Sequence, residues 1–187
     1  SVSVAAGPTS ALVAMLRVGT QMELVTRSIG FDGAPTAPAS VIVPPPSPES
    51  ADALDTMEAR VVSDGGEGFF VYLGGWGFSM GRTHLGADGE VIEPLTALPP
   101  ITDLHVSGVY NTDLDGVYPR PGGWVAVGSA SSGGASWTLL SALSPQGDLT
   151  GHVLLPTDAA TATDGERLFA LTVGSRAHLY ELGCVVP

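Results

Sequence analysis

The chain has 187 residues, of which 19 are acidic and 7 basic, giving a formal net charge of -12. All seven basic residues are Arg. Nucleic-acid backbones and anionic membrane surfaces are bound through clusters of basic residues, so we expect neither as a partner. Hydrophobic residues make up 44% of the chain and charged residues 14%, which excludes a disordered protein. No apolar run is long enough for a transmembrane helix.

Glycine and proline are abundant along the whole sequence, with 25 Gly and 15 Pro. These residues form turns and interrupt helices, so their even spread favours many short strands. We therefore predict a single all-β domain over residues 1–187. The predicted strands fall into four units, at about residues 1–46, 57–100, 101–156 and 157–187, with a loop at residues 44–56.

The first two units each predict a four-stranded antiparallel meander. In unit 1 the predicted strands are Ser1 to Val4, Leu12 to Val18, Met22 to Ile29 and Ser40 to Val43. In unit 2 they are Ala59 to Val62, Phe69 to Leu73, a strand that ends near Leu85, and a strand that is stopped by Pro99 and Pro100. The loop between the units is rich in Pro, Ser and acidic residues.

The third unit opens with a predicted strand from Ile101 to Val109 and a predicted loop from Asn111 to Gly122. Its other strands are Trp124 to Gly128, Trp137 to Leu143 and His152 to Leu155. The fourth unit contains Ala160 to Ala162, Leu168 to Val173 and Ala177 to Leu182. Its outermost strand is expected to be short or absent, and Ser1 to Val4 is a candidate to complete that sheet.

The four units align at their turns. Ile29, Leu85, Leu143 and Leu182 take equivalent positions, and the matching apolar strands open at Leu12, Phe69, Trp124 and Leu168. Repeated meanders of this length are typical of propeller blades, because one such sheet cannot bury both faces alone. We predict a β-propeller-like array of about four antiparallel four-stranded blades, either a small closed ring or a part of a larger propeller. A β-sandwich is the alternative.

The second unit carries a family resemblance. Its sequence F-F-V-Y-L-G-G at Phe69 to Gly75, closed by L-x-x-L-P-P at Leu95 to Pro100, resembles a kelch-type blade, in which a Gly doublet ends an inner strand. The resemblance implies a β-propeller of the kind usually used for binding partners. Units 1 and 3 have Val18-Gly19 and Val127-Gly128 in place of the doublet.

The sharpest local motif is N-T-D-L-D-G, from Asn111 to Gly116. Asn111, Asp113 and Asp115 supply oxygen ligands at alternate positions before a turning Gly, as at the start of a calcium-binding loop. The acidic residue expected at the twelfth position is missing, and Asp-Gly turns are common in β proteins for backbone reasons. We therefore favour a simple turn and no cofactor, with calcium at these three residues as the alternative.

Four aromatic residues lie in or beside predicted loops: Trp76, Phe78, Tyr110 and Tyr118. Aromatic residues are frequent anchors of protein interfaces, so these four are candidates for a partner-binding patch. The alternative is that they cap the ends of the blades.

Motifs for catalysis are missing from the sequence. No P-loop, dinucleotide fingerprint or G-x-S-x-G elbow occurs, and no two of the four histidines have a metal-ligand spacing. Cys184 is the only cysteine. We interpret it as a small apolar residue or, in an exported protein, as a thiol whose partner lies elsewhere.

These observations favour a noncatalytic module that binds another protein or holds a larger assembly together. We expect a bacterial protein that is secreted, periplasmic or on the cell surface, with any signal peptide removed before Ser1. Two alternatives stay open. One is a part of a propeller enzyme, a hydrolase or an oxidase, whose active residues lie outside this chain, and the other is a carbohydrate-binding module.

Overall fold

The computed structural model describes residues 1–18, 22–43, 57–75, 78–99, 111–132, 135–155, 159–163, 167–173 and 177–182. These residues form strands and turns without any helix, which confirms the prediction of an all-β chain. It follows that this part of the chain has no helix that is long and apolar enough to cross a membrane.

The strands of the described residues form four small antiparallel sheets in chain order. Sheet 1 contains β1 (Val2–Ala6), β2 (Ser10–Val18), β3 (Met22–Gly30) and β4 (Ser40–Ile42). Sheet 2 contains β5 (Glu58–Ser63), β6 (Phe69–Gly75), β7 (Phe78–Leu85) and β8 (Val91–Ala97). Sheet 3 contains β9 (Asn111–Arg120), β10 (Gly123–Ser132), β11 (Ala135–Leu143) and β12 (Leu149–Leu155). Sheet 4 contains β13 (Ala159–Thr163), β14 (Leu168–Val173) and β15 (Ala177–Leu182).

Strand pairing within the sheets follows the alignment of the units. Leu85 pairs with Phe69, Leu143 with Trp124, and Leu182 with Leu168. In sheet 1, Ile29 pairs with Ala11, one residue before the predicted Leu12. The three later units therefore share the register that the alignment gives them, and unit 1 is shifted by one residue.

Two predicted features of the chain are wrong. The segment predicted as a loop from Asn111 to Gly122 is mostly strand, since Asn111–Arg120 is β9. Its Asp115 forms a β-bulge opposite the step from Val127 to Gly128, which accommodates an Asp-Gly pair without a turn. Ser1 to Val4 does not complete sheet 4, because β1 pairs with β2 at the edge of sheet 1. The predicted strand over residues 101–109 lies outside the described residues.

The turn between the third and fourth strands, which we call the closing turn, has the same hydrogen bonds in sheets 1, 2 and 3. It covers residues 30–33, 86–89 and 144–147. Its last residue is a Gly that donates its N–H to the first residue of the turn over 2.8 to 2.9 Å. All three glycines have φ near +80°, a left-handed conformation that glycine adopts without steric cost.

Sheets 1, 2 and 3 stack face to face. Leu12 of sheet 1 and Phe69 of sheet 2 lie in one apolar core. Phe70, which points to the other face of sheet 2, lies in a second core with Trp124 of sheet 3. Full burial of each such side chain stabilises the fold by about 1.5–3 kcal/mol. Sheet 2 is thus buried on both faces, unlike either sheet of a β-sandwich. The first strands β1, β5 and β9 lie beside one another.

The closing turn of one sheet rests on the sheet before it. Ser10 Oγ and Ser28 Oγ of sheet 1 both donate to the carbonyl oxygen of Ala87, in the closing turn of sheet 2, over 2.8 and 2.5 Å. In the same way, Tyr72 Oη of sheet 2 donates over 3.2 Å to the carbonyl oxygen of Gly147, in the closing turn of sheet 3. The stacking is therefore fixed by polar contacts as well as by the apolar cores.

Candidate interaction surface

A polar cluster around the largely buried side chain of Arg82 joins sheets 2 and 3, and its carboxylates Glu93 and Asp148 are exposed. The Arg82 guanidinium donates to the carbonyl oxygen of Gln146 and pairs with Glu93 at 2.6 Å and Asp148 at 3.3 Å. Beside it, burial raises the pKa of the Tyr72 hydroxyl above its usual range; the charge of Arg82 lowers this pKa and that of Asp148 raises it. Because every one of these contacts lies within the chain, we interpret the cluster as a clamp between the sheets.

A histidine and a carboxylate meet two residues further along β7 from Arg82. His84 Nε2 lies 2.9 Å from Asp64 Oδ2, and its ring centroid lies 4.5 Å from that of Phe70. Asp64 also accepts hydrogen bonds from the N–H groups of Gly66 and Gly68, so it shapes the turn between β5 and β6. Throughout the residues that the structure describes, no group of three or more His, Cys, Asp or Glu could hold a metal ion.

Sheet 1 has one buried face and one exposed apolar face. Leu12, Ala14 and Leu16 point to sheet 2 and are buried, whereas the residues between them point away from it. We use the name "open face of sheet 1" for the side that points away from sheet 2. Its apolar members are Val2, Val4, Val13, Met15, Val25 and Val41.

The open face of sheet 1 contains an apolar row that crosses the whole sheet. Val2 pairs with Met15, Met15 with Val25, and Val25 with Val41, so each strand contributes one residue. Directly paired residues share a face of the sheet. Val2 is 66% exposed, Met15 39% and Val41 54%. A single exposed apolar residue is ordinary, whereas a contiguous exposed row of this kind makes the face a candidate interaction surface.

Phe31 is a further exposed apolar residue of sheet 1, in its closing turn. Its side chain is 69% exposed. The same turn position holds Ala87 in sheet 2, where the turn rests on sheet 1, and Pro145 in sheet 3. Phe31 therefore lies in the turn that, in sheets 2 and 3, contacts the preceding sheet.

The predicted calcium ligands lie on β9. Asn111 and Asp113 alternate along the strand and pair with Ser131 and Ser129, and their side chains lie outside what the structure describes. Asp115, at the bulge, is exposed, and its carbonyl oxygen accepts a hydrogen bond of 2.9 Å from Arg60 Nε on sheet 2. The simple turn that we favoured here is a strand with a bulge, and calcium binding at these residues stays the untested alternative.

Of the four aromatic residues predicted to form a partner-binding patch, only Tyr118 has a side chain that the structure describes. Tyr118 lies on β9, half-buried against the cluster that contains Val125 and Val127. Phe78 begins β7, but its side chain is outside the description, as are Trp76 and Tyr110 entirely. A partner-binding role for these residues stays a prediction, and for Tyr118 the structure gives an internal packing role.

The open face of sheet 1 was missed in the sequence analysis, although two signals point to it. The segment from Leu12 to Leu16 is apolar at every position, which indicates a strand with a neighbour on each face. The closing turn G-F-D-G also has Phe31 where the aligned G-A-D-G has Ala87. Both signals are apolar residues on the side of sheet 1 that no other described sheet covers.

Over the described residues the structure thus defines an all-β protein of four small antiparallel sheets with an exposed apolar face on sheet 1. A scan against models of known protein families finds no match, and a search of curated proteins also finds none.

Proposed function

We propose that this chain is a noncatalytic module of β-propeller type, with kelch-like blades, that binds another protein or holds an assembly together. The observation that carries the proposal is the apolar row on the open face of sheet 1, from Val2 to Val41. We also propose that the protein is secreted, periplasmic or on the surface of a bacterium.

The blade arrangement is supported by two relationships between the sheets. Sheets 1, 2 and 3 stack in chain order, and their first strands β1, β5 and β9 lie side by side, as the inner strands of neighbouring blades do. The docking of each closing turn on the preceding sheet repeats from sheets 1 and 2 to sheets 2 and 3. A repeated contact of this kind is typical of repeat proteins, in which each unit contacts its neighbours.

The binding role is supported by the chemistry of the open face. Exposed valine and methionine side chains provide apolar area at the centre of an interface, and Phe31 provides an aromatic anchor. Arg17 and Glu23 form an ion pair on the same face, at its edge, where a polar rim is expected.

Capture of partners from an extract of the native source tests this proposal. Val41→Asp places a charge in the apolar row, and Ile92→Asp makes the same kind of change at an exposed residue of β8 on sheet 2. We expect Val41→Asp to weaken capture roughly tenfold or more while Ile92→Asp binds as the wild type does. Equal capture by all three proteins would reject the open face as the binding surface.

A further inference from the structure

Stacking gives sheet 2 two distinct faces. One face meets the preceding sheet 1, and the other meets the following sheet 3 and its closing turn. In sheet 2, Leu73 lies in the core shared with sheet 1, and Tyr72 lies on the opposite face in the core shared with sheet 3. Both side chains have 0% exposure.

The equivalent residues of the first and last sheets are uncovered. Counting from the pairs that align the units, Met15 of sheet 1 corresponds to Leu73, and Leu171 of sheet 4 corresponds to Tyr72. Met15 is 39% exposed and Leu171 is 38% exposed. Met15 and Leu171 therefore lie on exposed faces of sheets 1 and 4, although the equivalent faces of sheet 2 are buried.

Sheet 4 has its own apolar row on this face. Ala160 pairs with Leu171, and Leu171 pairs with Leu179, which is 70% exposed. The neighbouring Ala170 points to the opposite face and has 0% exposure. We use the name "open face of sheet 4" for the side that carries Leu171 and Leu179. Sheet 4 thus also has one buried face and one exposed apolar face. Its exposed face corresponds to the face of sheet 2 that meets sheet 3, whereas the exposed face of sheet 1 corresponds to the face of sheet 2 that meets sheet 1.

We propose that two copies of this chain associate head to tail, with the open face of sheet 4 in one copy packed on the open face of sheet 1 in the next. This inference rests on the proposed function, since it names the protein that covers the open face of sheet 1. The contact continues the stacking between sheets within the chain. It places the closing turn with Phe31 on sheet 4, as the turn with Ala87 is placed on sheet 1.

Charge at the two faces agrees with this pairing. On the open face of sheet 1, the exposed Arg27 is the strand partner of Val13. On the open face of sheet 4, the exposed Glu181 is the strand partner of Phe169. Glu181 can therefore pair with Arg27 across the contact, while the guanidinium of Arg167 covers the Phe169 ring on the same face of sheet 4, 5.3 Å from its centroid. The whole chains repel each other through a net charge of -12. Added salt screens that repulsion, so association strengthens as the ionic strength rises.

The contact joins two different surfaces, so every copy can bind one neighbour through its open face of sheet 1 and another through its open face of sheet 4. Sedimentation equilibrium of the wild type, Val4→Asp, Leu179→Asp and the control Ile92→Asp uses this asymmetry. We expect the wild type and Ile92→Asp to show a weight-average mass that rises with concentration and with salt. Val4→Asp alone and Leu179→Asp alone remain monomers, because each lacks one of the two faces.

A mixture of the two variants is the decisive sample. Val4→Asp keeps its open face of sheet 4 and Leu179→Asp keeps its open face of sheet 1, so the mixture forms a one-to-one dimer and nothing larger. Circular dichroism and urea unfolding of each variant show that its fold is intact. A wild type that stays monomeric at all concentrations and salt levels, or a mixture that stays monomeric, overturns the proposal. A monomeric wild type that still captures a partner through Val41 overturns the self-association alone and leaves the proposed function standing.

Discussion

The hydroxyl of Tyr72, on sheet 2, donates a hydrogen bond of 3.2 Å to the carbonyl oxygen of Gly147, in the closing turn of sheet 3. Both residues are buried. Substitution Tyr72→Phe leaves this carbonyl without that donor, so we expect a loss of about 1 kcal/mol in the free energy of unfolding. Urea denaturation at pH 7 measures it, with Tyr118→Phe as the control for the loss of a phenol. Equal stability of wild type and Tyr72→Phe would contradict the contact.

The same phenol makes stability depend on pH in the alkaline range. Because the folded protein raises the pKa of Tyr72 above the unfolded value of about 10, its contribution is complete below pH 10 and declines as the pH rises further. The decline is about 1.4 kcal/mol per pH unit for one group. We expect the advantage of wild type over Tyr72→Phe to shrink between pH 8 and pH 11 in urea unfolding. A constant difference over that interval would show that Tyr72 is not held neutral.

Gly147 combines a left-handed backbone with a crowded surrounding. Its φ is 82°, and a Cβ there would stand 2.8 Å from Tyr72 Oη and 2.9 Å from Arg82 Cδ. Gly33, in the closing turn of sheet 1, has the same φ of 82° and nothing within 4 Å of its Cβ position. We expect Gly33→Ala to cost about 1–2 kcal/mol of stability through the backbone alone. Gly147→Ala costs about 1–3 kcal/mol more, because either the turn or the buried Tyr72 side chain and Arg82 must shift to admit the new Cβ.

Both alanine variants have the same backbone strain, so the difference between their free energies of unfolding measures the contact of the closing turn of sheet 3 with sheet 2. Urea unfolding at low protein concentration, where self-association is negligible, gives both values. Equal losses for Gly33→Ala and Gly147→Ala would mean that the closing turn of sheet 3 does not rest on Tyr72 and Arg82.

The two serines that donate to Ala87 are coupled through their shared acceptor. Replacing either Ser10 or Ser28 with Ala leaves one donor on the carbonyl oxygen, so each single variant loses about 0.5–1 kcal/mol. The double variant leaves the oxygen without either serine. We expect its loss to exceed the sum of the two single losses by 0.5 kcal/mol or more, an interaction energy within the usual range for contacting residues. Additive losses in a double-mutant cycle would show that the serines act independently.

The sequence predicted a strand correctly where turn residues stand at both ends of an apolar run. Leu168–Val173 and Ala177–Leu182 match the predicted spans because polar and glycine-rich segments stand on each side of them. β9 was missed because Asp115-Gly116 and Pro119 predict a turn locally, whereas pairing with β10 accommodates them at a bulge and near the end of the strand. Tertiary contact decided this segment against its local preference.

The face that each strand buries was harder to predict than the strand itself. In β2 both sets of alternating residues are apolar, so the pattern does not say which set meets sheet 2. Ser10 and Ser28 are buried although serine is usually exposed, because the closing turn of sheet 2 supplies their acceptor. Contacts between sheets depend on residues far apart in the chain, and local patterns carry no information about them.

Sheets 1, 2 and 3 stack in chain order, and nuclear Overhauser effects between protons of neighbouring sheets test this stacking most directly. Gly89 lies so close to Leu12 that a Cβ there would stand 3.6 Å from Leu12 Cδ1, and Gly147 has a similar position next to Tyr72. In a sample with labelled leucine methyl groups and tyrosine rings, we predict cross-peaks from Leu12 to the Hα protons of Gly89 and from Tyr72 to those of Gly147. If both cross-peaks are missing while those between paired strands of one sheet are present, the sheets do not stack in this order.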